Sequence, residues 1–180
     1  MNAAFCSCRV TINLGASSTV IDSNFSGSRA SNRGGAIDLT SSSKILNCNF
    51  NNTFATNYGG AIYVNAKNTV LNSSRYNGNH ADKAGGAIYL AVTGNVYDSN
   101  FTENTARTYG GAIYVASADS KLINDIFNFN NATVNGGAVY VVANNVLINQ
   151  SEFNQNGGVN GPAIYWEGAN GILYGSVFDN

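Results

Sequence analysis

Gly59-Gly60-Ala61-Ile62-Tyr63-Val64 decides the fold, because the phrase keeps returning. It begins at Gly34, Gly59, Gly85, Gly110, Gly136 and Gly161, so successive starts differ by 25, 26, 25, 26 and 25 residues. One period before Gly34, Arg9-Val10-Thr11-Ile12-Asn13-Leu14 keeps the same apolar alternation and reads as a degenerate first copy. A second marker runs in step: Phe25, Phe50, Tyr76, Phe101, Phe127, Phe153 and Phe178. Three residues beyond the first six of these stand Ser28, Thr53, Asn79, Asn104, Asn130 and Asn156, and five beyond stand Ala30, Ala55, Ala81, Ala106, Ala132 and Gly158. The distance from aromatic to next glycine is nine residues in every copy but the last, where it is eight, so length varies between the phrase and the aromatic.

A period of this size marks a solenoid or array. Ala-Ile-Tyr-Val alternates with period two and is β-branched or aromatic, which suits a strand. Glycine pairs and Asn/Ser/Thr clusters interrupt every copy before a helix of useful length could form. The chain is therefore expected to be all-β: a right-handed, single-stranded parallel β-helix of about seven coils. Each coil holds two or three short strands that pair with their copies at ~4.8 Å, giving a rod of roughly 30–35 Å. The expected organisation is one domain over 1–180, with a degenerate first coil (1–33), regular coils (34–160) and a final incomplete coil (161–180). The last copy stops at Phe178-Asp179-Asn180, midway through a repeat, which suggests a segment of a larger protein. The fifth place of the phrase accepts Asn13 and Asp38 as well as tyrosine, so it faces solvent. Its neighbours then face inward, as one stack from Ile12 to Ile164, a second from Leu14 to Trp166, and a third formed by the Phe25–Phe178 aromatics. The glycines suit a corner where φ is positive or no Cβ fits, and the Asn column suits amides that turn inward and bond along the stack.

Composition agrees with stacking. Only 11% of residues are charged, against roughly 25% in ordinary domains. Like charges at strand spacing would repel, whereas amides and hydroxyls can bond to their copies. A net charge of −1 with scattered Lys and Arg offers no basic patch for nucleic acid or anionic membrane. No apolar run approaches a membrane span, and the start MNAAFCSCRV lacks the pattern of a signal peptide. Cys6, Cys8 and Cys48 are too few for a disulfide framework and read as free or buried thiols.

Glycine-glycine-Ala-Ile phrases alternating with aromatic-x-x-Asn (Phe101 to Asn104, Phe127 to Asn130, Phe153 to Asn156) resemble the polymorphic membrane protein repeats of chlamydial surface proteins and of adhesin-like proteins of methanogenic archaea. The resemblance covers nearly the whole chain and departs from it at Phe25, Phe50 and Gly161-Pro162. It implies an extracellular, cell-surface passenger or stalk segment of adhesin type. The expected partner is a surface glycan or protein of another cell, with no nucleic acid and no membrane insertion by this segment.

Enzymes acting on acidic polysaccharides are also β-helices, so a lyase or hydrolase is the alternative, beside a purely structural spacer. Paired carboxylates for glycosidic cleavage lie ~5–9.5 Å apart. Asp22 and Asp98 share a column but stand three coils, or ~14 Å, apart. Asp98 and Asp125 are expected to face opposite sides of a strand. No catalytic residue, metal site or cofactor is therefore expected. The lone His80 reads as a solvent-exposed turn residue. Asn24, Asn51, Asn72, Asn100, Asn131 and Asn149 head glycosylation sequons, which carry little weight in a chain so rich in Asn and Thr. The sharpest surface feature is the column Tyr63, Tyr89, Tyr114, Tyr140 and Tyr165. It either stabilises its sheet by cross-strand contact or binds sugar rings or a protein.

Overall fold

The computed structural model describes residues 4–5 and 11–179. Every regular element among them is a strand, and the strands form four parallel sheets of eight, seven, seven and five members. Each strand pairs with its own copy one coil away, so the sheets run along a solenoid of about seven turns. The phrase sheet stacks Ile12–Leu14, Ile37–Leu39, Ile62–Val64, Ile88–Leu90, Ile113–Val115, Val139–Val141 and Ile164–Trp166. A second sheet carries the aromatic marker, as in Arg75–Asn77 and Asn100–Thr102. The third lies between them in the chain, as in Thr69–Asn72 and Gly94–Tyr97. The fourth is built from two-residue strands such as His80–Ala81 and Thr105–Ala106. Two or three strands per coil were expected. The extra one arises because the chain stays extended just after the aromatic corner, ending on the small alanine of each copy.

The interior is a set of like-on-like stacks. Ile37, Ile62, Ile88, Ile113 and Val139 are fully buried, as are Leu39, Val64, Leu90, Val115 and Val141. Phe25, Phe50, Tyr76, Phe101, Phe127, Phe153 and Phe178 stack at centroid separations of 4.7 to 5.0 Å with planes within 10°. That separation is the coil rise itself, so each ring fills one storey of the core. A fourth inward stack, Ile45, Leu71, Val96, Leu122 and Ile148, comes from the third sheet. Burying a side chain of this size contributes ~1.5–3 kcal/mol, and every coil supplies about four.

The corners explain which positions are fixed. The first glycine of each phrase has φ between 55° and 65°, a left-handed conformation open to glycine at no steric cost. The second glycine fails for a different reason: a Cβ on Gly86 would lie 2.0 Å from the Gly111 carbonyl oxygen of the next coil and 2.4 Å from that of Thr105. From Ile45 to Phe50, Leu71 to Tyr76, Val96 to Phe101 and Leu122 to Phe127 the spacing is always five. The variable residue therefore lies in the loop after the phrase strand (65–68, 91–93, 116–120).

At the corner beyond the aromatics, Asn79, Asn104 and Asn130 are fully buried and Asn156 nearly so. The Asn104 amide Nδ2 donates to the Tyr76 carbonyl and to Asn130 Oδ1, both at 2.9 Å. Its Oδ1 accepts from the backbone N–H of Asn79 at 3.0 Å and from Asn79 Nδ2 at 2.9 Å. The same pattern recurs at Asn130. At Thr53 the ladder ends: its backbone N–H and hydroxyl both donate to Asn79 Oδ1.

A second polar column lines the opposite corner. Backbone N–H groups of Cys48, Ser74, Ser99, Asp125 and Ser151 donate to the side-chain oxygens of Ser74, Ser99, Asp125, Ser151 and Ser176 in the next coil. Cys48 is free and buried here; Cys6 and Cys8 lie outside the described residues.

Candidate functional site

The phrase sheet carries the tyrosine column on its outer side. Tyr63–Tyr89, Tyr89–Tyr114, Tyr114–Tyr140 and Tyr140–Tyr165 ring centroids are 5.3, 4.7, 5.1 and 5.4 Å apart, with planes within 18° of parallel. The strand pairing sets this geometry, since Tyr89 sits in register with Tyr63 on one side and Tyr114 on the other. A solvent-facing column was expected; it lines the outer side, but its rings are partly covered. Tyr63, Tyr89, Tyr114 and Tyr165 are half-buried, and Tyr140 is only 4% exposed. Tyr140 is sealed by the Tyr109 ring, 4.7 Å away, and by its hydroxyl's 2.6 Å hydrogen bond to Glu167 Oε1.

The cover comes from the residue before each glycine pair. Arg33, Tyr58, Ala84, Tyr109, Asn135 and Asn160 form a ladder of parallel bridges beside the column. Tyr58 leans over Tyr89 with centroids 4.8 Å apart and planes tilted by 50°. Arg33 lies 4.6 Å over the Tyr63 ring while its Nε bonds Asp38 Oδ2 at 2.9 Å. Between Tyr58 and Tyr109, Ala84 supplies no ring, and a cavity of about 200 Å³ opens there. Tyr58, Lys83, Ala84, Tyr89, Thr108, Tyr109 and Tyr114 line it. Burial first, then the neighbouring tyrosines or Glu167, pushes the Tyr89, Tyr114 and Tyr140 hydroxyls above their ordinary range. These hydroxyls stay protonated, so the tyrosine column itself is uncharged and amphipathic.

The carboxylates do not converge on a common point. Asp22 and Asp98 occupy left-handed corner positions with φ of 51° and 50°, and each accepts a 2.7 Å bond from the Asn of the following coil, Asn47 or Asn124. Asp98 and Asp125 lie at the corner between strands rather than on opposite sides of one, and Asp125 points inward, fully buried. Its Oδ2 has no hydrogen-bond partner, and burial pushes its acid well above the usual carboxylate range. His80 is not a free turn residue. It lies in a strand, stacked 5.6 Å from Phe54, with Nδ1 2.7 Å from Thr105 Oγ1 and Nε2 3.3 Å from Asp82 Oδ1. Arg107 Nε bonds the same Asp82 oxygen at 3.0 Å. The four side chains form a two-by-two patch tying adjacent coils together on the fourth sheet. Among the described residues no group of three His, Cys, Asp or Glu side chains is placed to hold a metal, and no helix is long and apolar enough to cross a membrane.

Comparison of the whole chain with curated proteins and with solved structures returns no match. Residues 98–116 match the family model of the Chlamydia polymorphic membrane protein repeat. The matched stretch runs from the aromatic strand through Asn104 and the glycine pair to the phrase strand, Ile113–Val115. It thus contains the aromatic stack, the amide ladder, the two-glycine corner and one tyrosine of the outer column. The neighbouring coils carry the same features in register, with Ser28 and Thr53 for Asn and Asn13 and Asp38 for Tyr in the earlier ones, and Pro162 for the second glycine in the last. One coil of this solenoid, within residues 98–116, is thus similar to the polymorphic membrane protein repeat.

Proposed function

We propose that this chain is a non-catalytic, surface-displayed solenoid segment of adhesin type, whose tyrosine face binds a carbohydrate or protein of another cell. The observation that carries the proposal is the two-layered aromatic face. Five stacked tyrosines are partly covered by Tyr58 and Tyr109, which widen the column beyond what pairing of one sheet needs. Amphipathic aromatic surfaces of this kind suit sugar rings and protein hot spots. The extracellular location rests on the repeat family. The alternative, cleavage of polysaccharide, finds little support: Asp22 and Asp98 are committed to corner hydrogen bonds, and Asp125 is sealed in the core.

The test is a glycan and cell-surface-protein array screened with the wild-type chain and with a Tyr63→Ser/Tyr89→Ser/Tyr114→Ser variant that retains its β circular dichroism. Tyr140 is left intact because it is buried. Specific binding by the wild type that falls at least tenfold in the variant supports the proposal. Absence of any specific binding, or binding equal in both, refutes it and leaves a structural spacer.

A further inference from the structure

We propose that the slot over Ala84 is a subsite for one pyranose ring bearing a carboxylate, an acidic sugar held between Tyr58 and Tyr109. The inference rests on the preceding assignment of the tyrosine face as a recognition surface and specifies the ligand class. Tyr58 and Tyr109 stand at equivalent positions two coils apart, with Ala84 in register between them. Two coil rises of ~4.8 Å separate the walls by roughly 9.6 Å at the backbone. Both wall rings lean one coil onward, Tyr58 over Tyr89 and Tyr109 over Tyr140, so the gap of about two storeys carries over to the rings and leaves room for one flat ring above Tyr114. The floor is Tyr89 and Tyr114, parallel to within 4°.

Size selects the occupant. About 200 Å³ is below the ~300–1,000 Å³ of pockets that enclose drug-sized ligands, and it suits one ring of a longer chain that continues over the open face. The lining mixes ring faces with hydroxyls, those of the four tyrosines and of Thr108. A pyranose presents the same mixture, apolar C–H faces with hydroxyls at the edge. Charge then selects among sugars. Arg33 is paired with Asp38, and Arg107 with Asp82. Lys83, exposed on the rim with its Nζ 5.6 Å from the Tyr58 centroid, has no ion-pair partner among the described residues. A carboxylate on the bound ring would supply one.

Ala84→Tyr tests the slot directly. The flanking coils carry tyrosine at this position, so the substitution extends an existing ladder and fills the gap while leaving the outer column intact. Ala84→Ser keeps the slot open, and Lys83→Gln removes the charge. Biolayer interferometry on immobilised oligohexuronate, on the same oligomer methyl-esterified, and on a neutral hexose oligomer reads the result, with folding checked by circular dichroism. The expected outcome is binding of the oligohexuronate by wild type and Ala84→Ser, at least tenfold loss in Ala84→Tyr, and about fivefold loss in Lys83→Gln or on esterification, the value of one partly exposed ion pair. Binding of the oligohexuronate by a folded Ala84→Tyr variant at wild-type strength overturns the subsite, as does absence of oligohexuronate binding by the wild type. Equal binding of charged and esterified oligomers overturns the acidic-sugar assignment. If the subsite fails while the triple tyrosine variant still loses another array ligand, the recognition face stands without it. If array binding survives loss of the tyrosines, the broader proposal fails on its own.

Discussion

Replacing Asn104 by alanine tests whether the amide ladder, rather than apolar stacking alone, holds the coils in register. The side chain makes four hydrogen bonds in a fully buried corner. After truncation Asn79 Nδ2 keeps the Phe50 carbonyl and Asn130 Oδ1 keeps the Asn104 N–H. The Asn79 backbone N–H, however, loses its acceptor, and the Tyr76 carbonyl loses a donor. An orphaned buried donor costs ~1–3 kcal/mol, and each remaining bond is worth ~0.5–1.5 kcal/mol. The expected destabilisation is therefore about 2.5–7.5 kcal/mol, read as a fall in the urea midpoint followed by circular dichroism. Asn104→Asp separates polarity from packing. It is nearly isosteric, yet it turns a donor into an acceptor opposite Tyr76 O and Asn130 Oδ1, so it should cost at least as much as alanine. An alanine variant within 1 kcal/mol of wild type, or an aspartate variant much more stable than alanine, would refute the ladder as the register device.

Three further changes probe other corners. Asp125→Ser restores the residue type of its column and removes a buried acid. Because the folded-state acid is raised above its unfolded value, the wild type loses stability as pH rises from the unfolded carboxylate pKa towards the folded one. The serine variant should lack that loss and be more stable at neutral pH, as thermal melts between pH 4 and 8 would show. Gly86→Ala drives a methyl into two backbone carbonyls and should abolish the folded signal at 37 °C, whereas Ala84→Ser two residues earlier at the same corner should not. Phe129 holds a φ of 56° while half exposed. Phe129→Gly should raise stability by ~1 kcal/mol, and a drop in the melting temperature would show that its ring contributes more than its backbone strain costs.

The parts of the fold legible in the sequence are those where one residue type recurs at one spacing. Gly-Gly-Ala-Ile gave the phrase sheet and its corner, Phe25 to Phe178 gave the aromatic stack, and Asn79 to Asn156 gave the ladder, because each position admits almost nothing else. The inward stack Ile45 to Ile148 was hidden by the loop before it, whose length varies by a residue and breaks the register counted from the glycines. The column through Cys48, Ser74 and Asp125 was hidden because a backbone N–H accepts any small acceptor. At the candidate site the five tyrosines were legible, but their cover was not. Arg33, Tyr58, Ala84, Tyr109 and Asn135 share no chemistry, and only their constant place before the glycine pair could have drawn attention to them. His80 was misjudged because its partners Phe54 and Thr105 lie a full coil away in sequence.

The ladders also set how the molecule meets force. Backbone bonds, amide bonds and ring stacks all link a coil to the ones directly beside it, so an end coil can peel away without loosening the rest. Pulled from its two ends, such a chain should lengthen in steps. Each released coil of 25 or 26 residues frees about 85 Å of extended chain and dissipates its share of work while the remaining storeys stay closed. A single-molecule trace with equal steps of roughly that length would show a graded shock absorber, and one all-or-none rip would not.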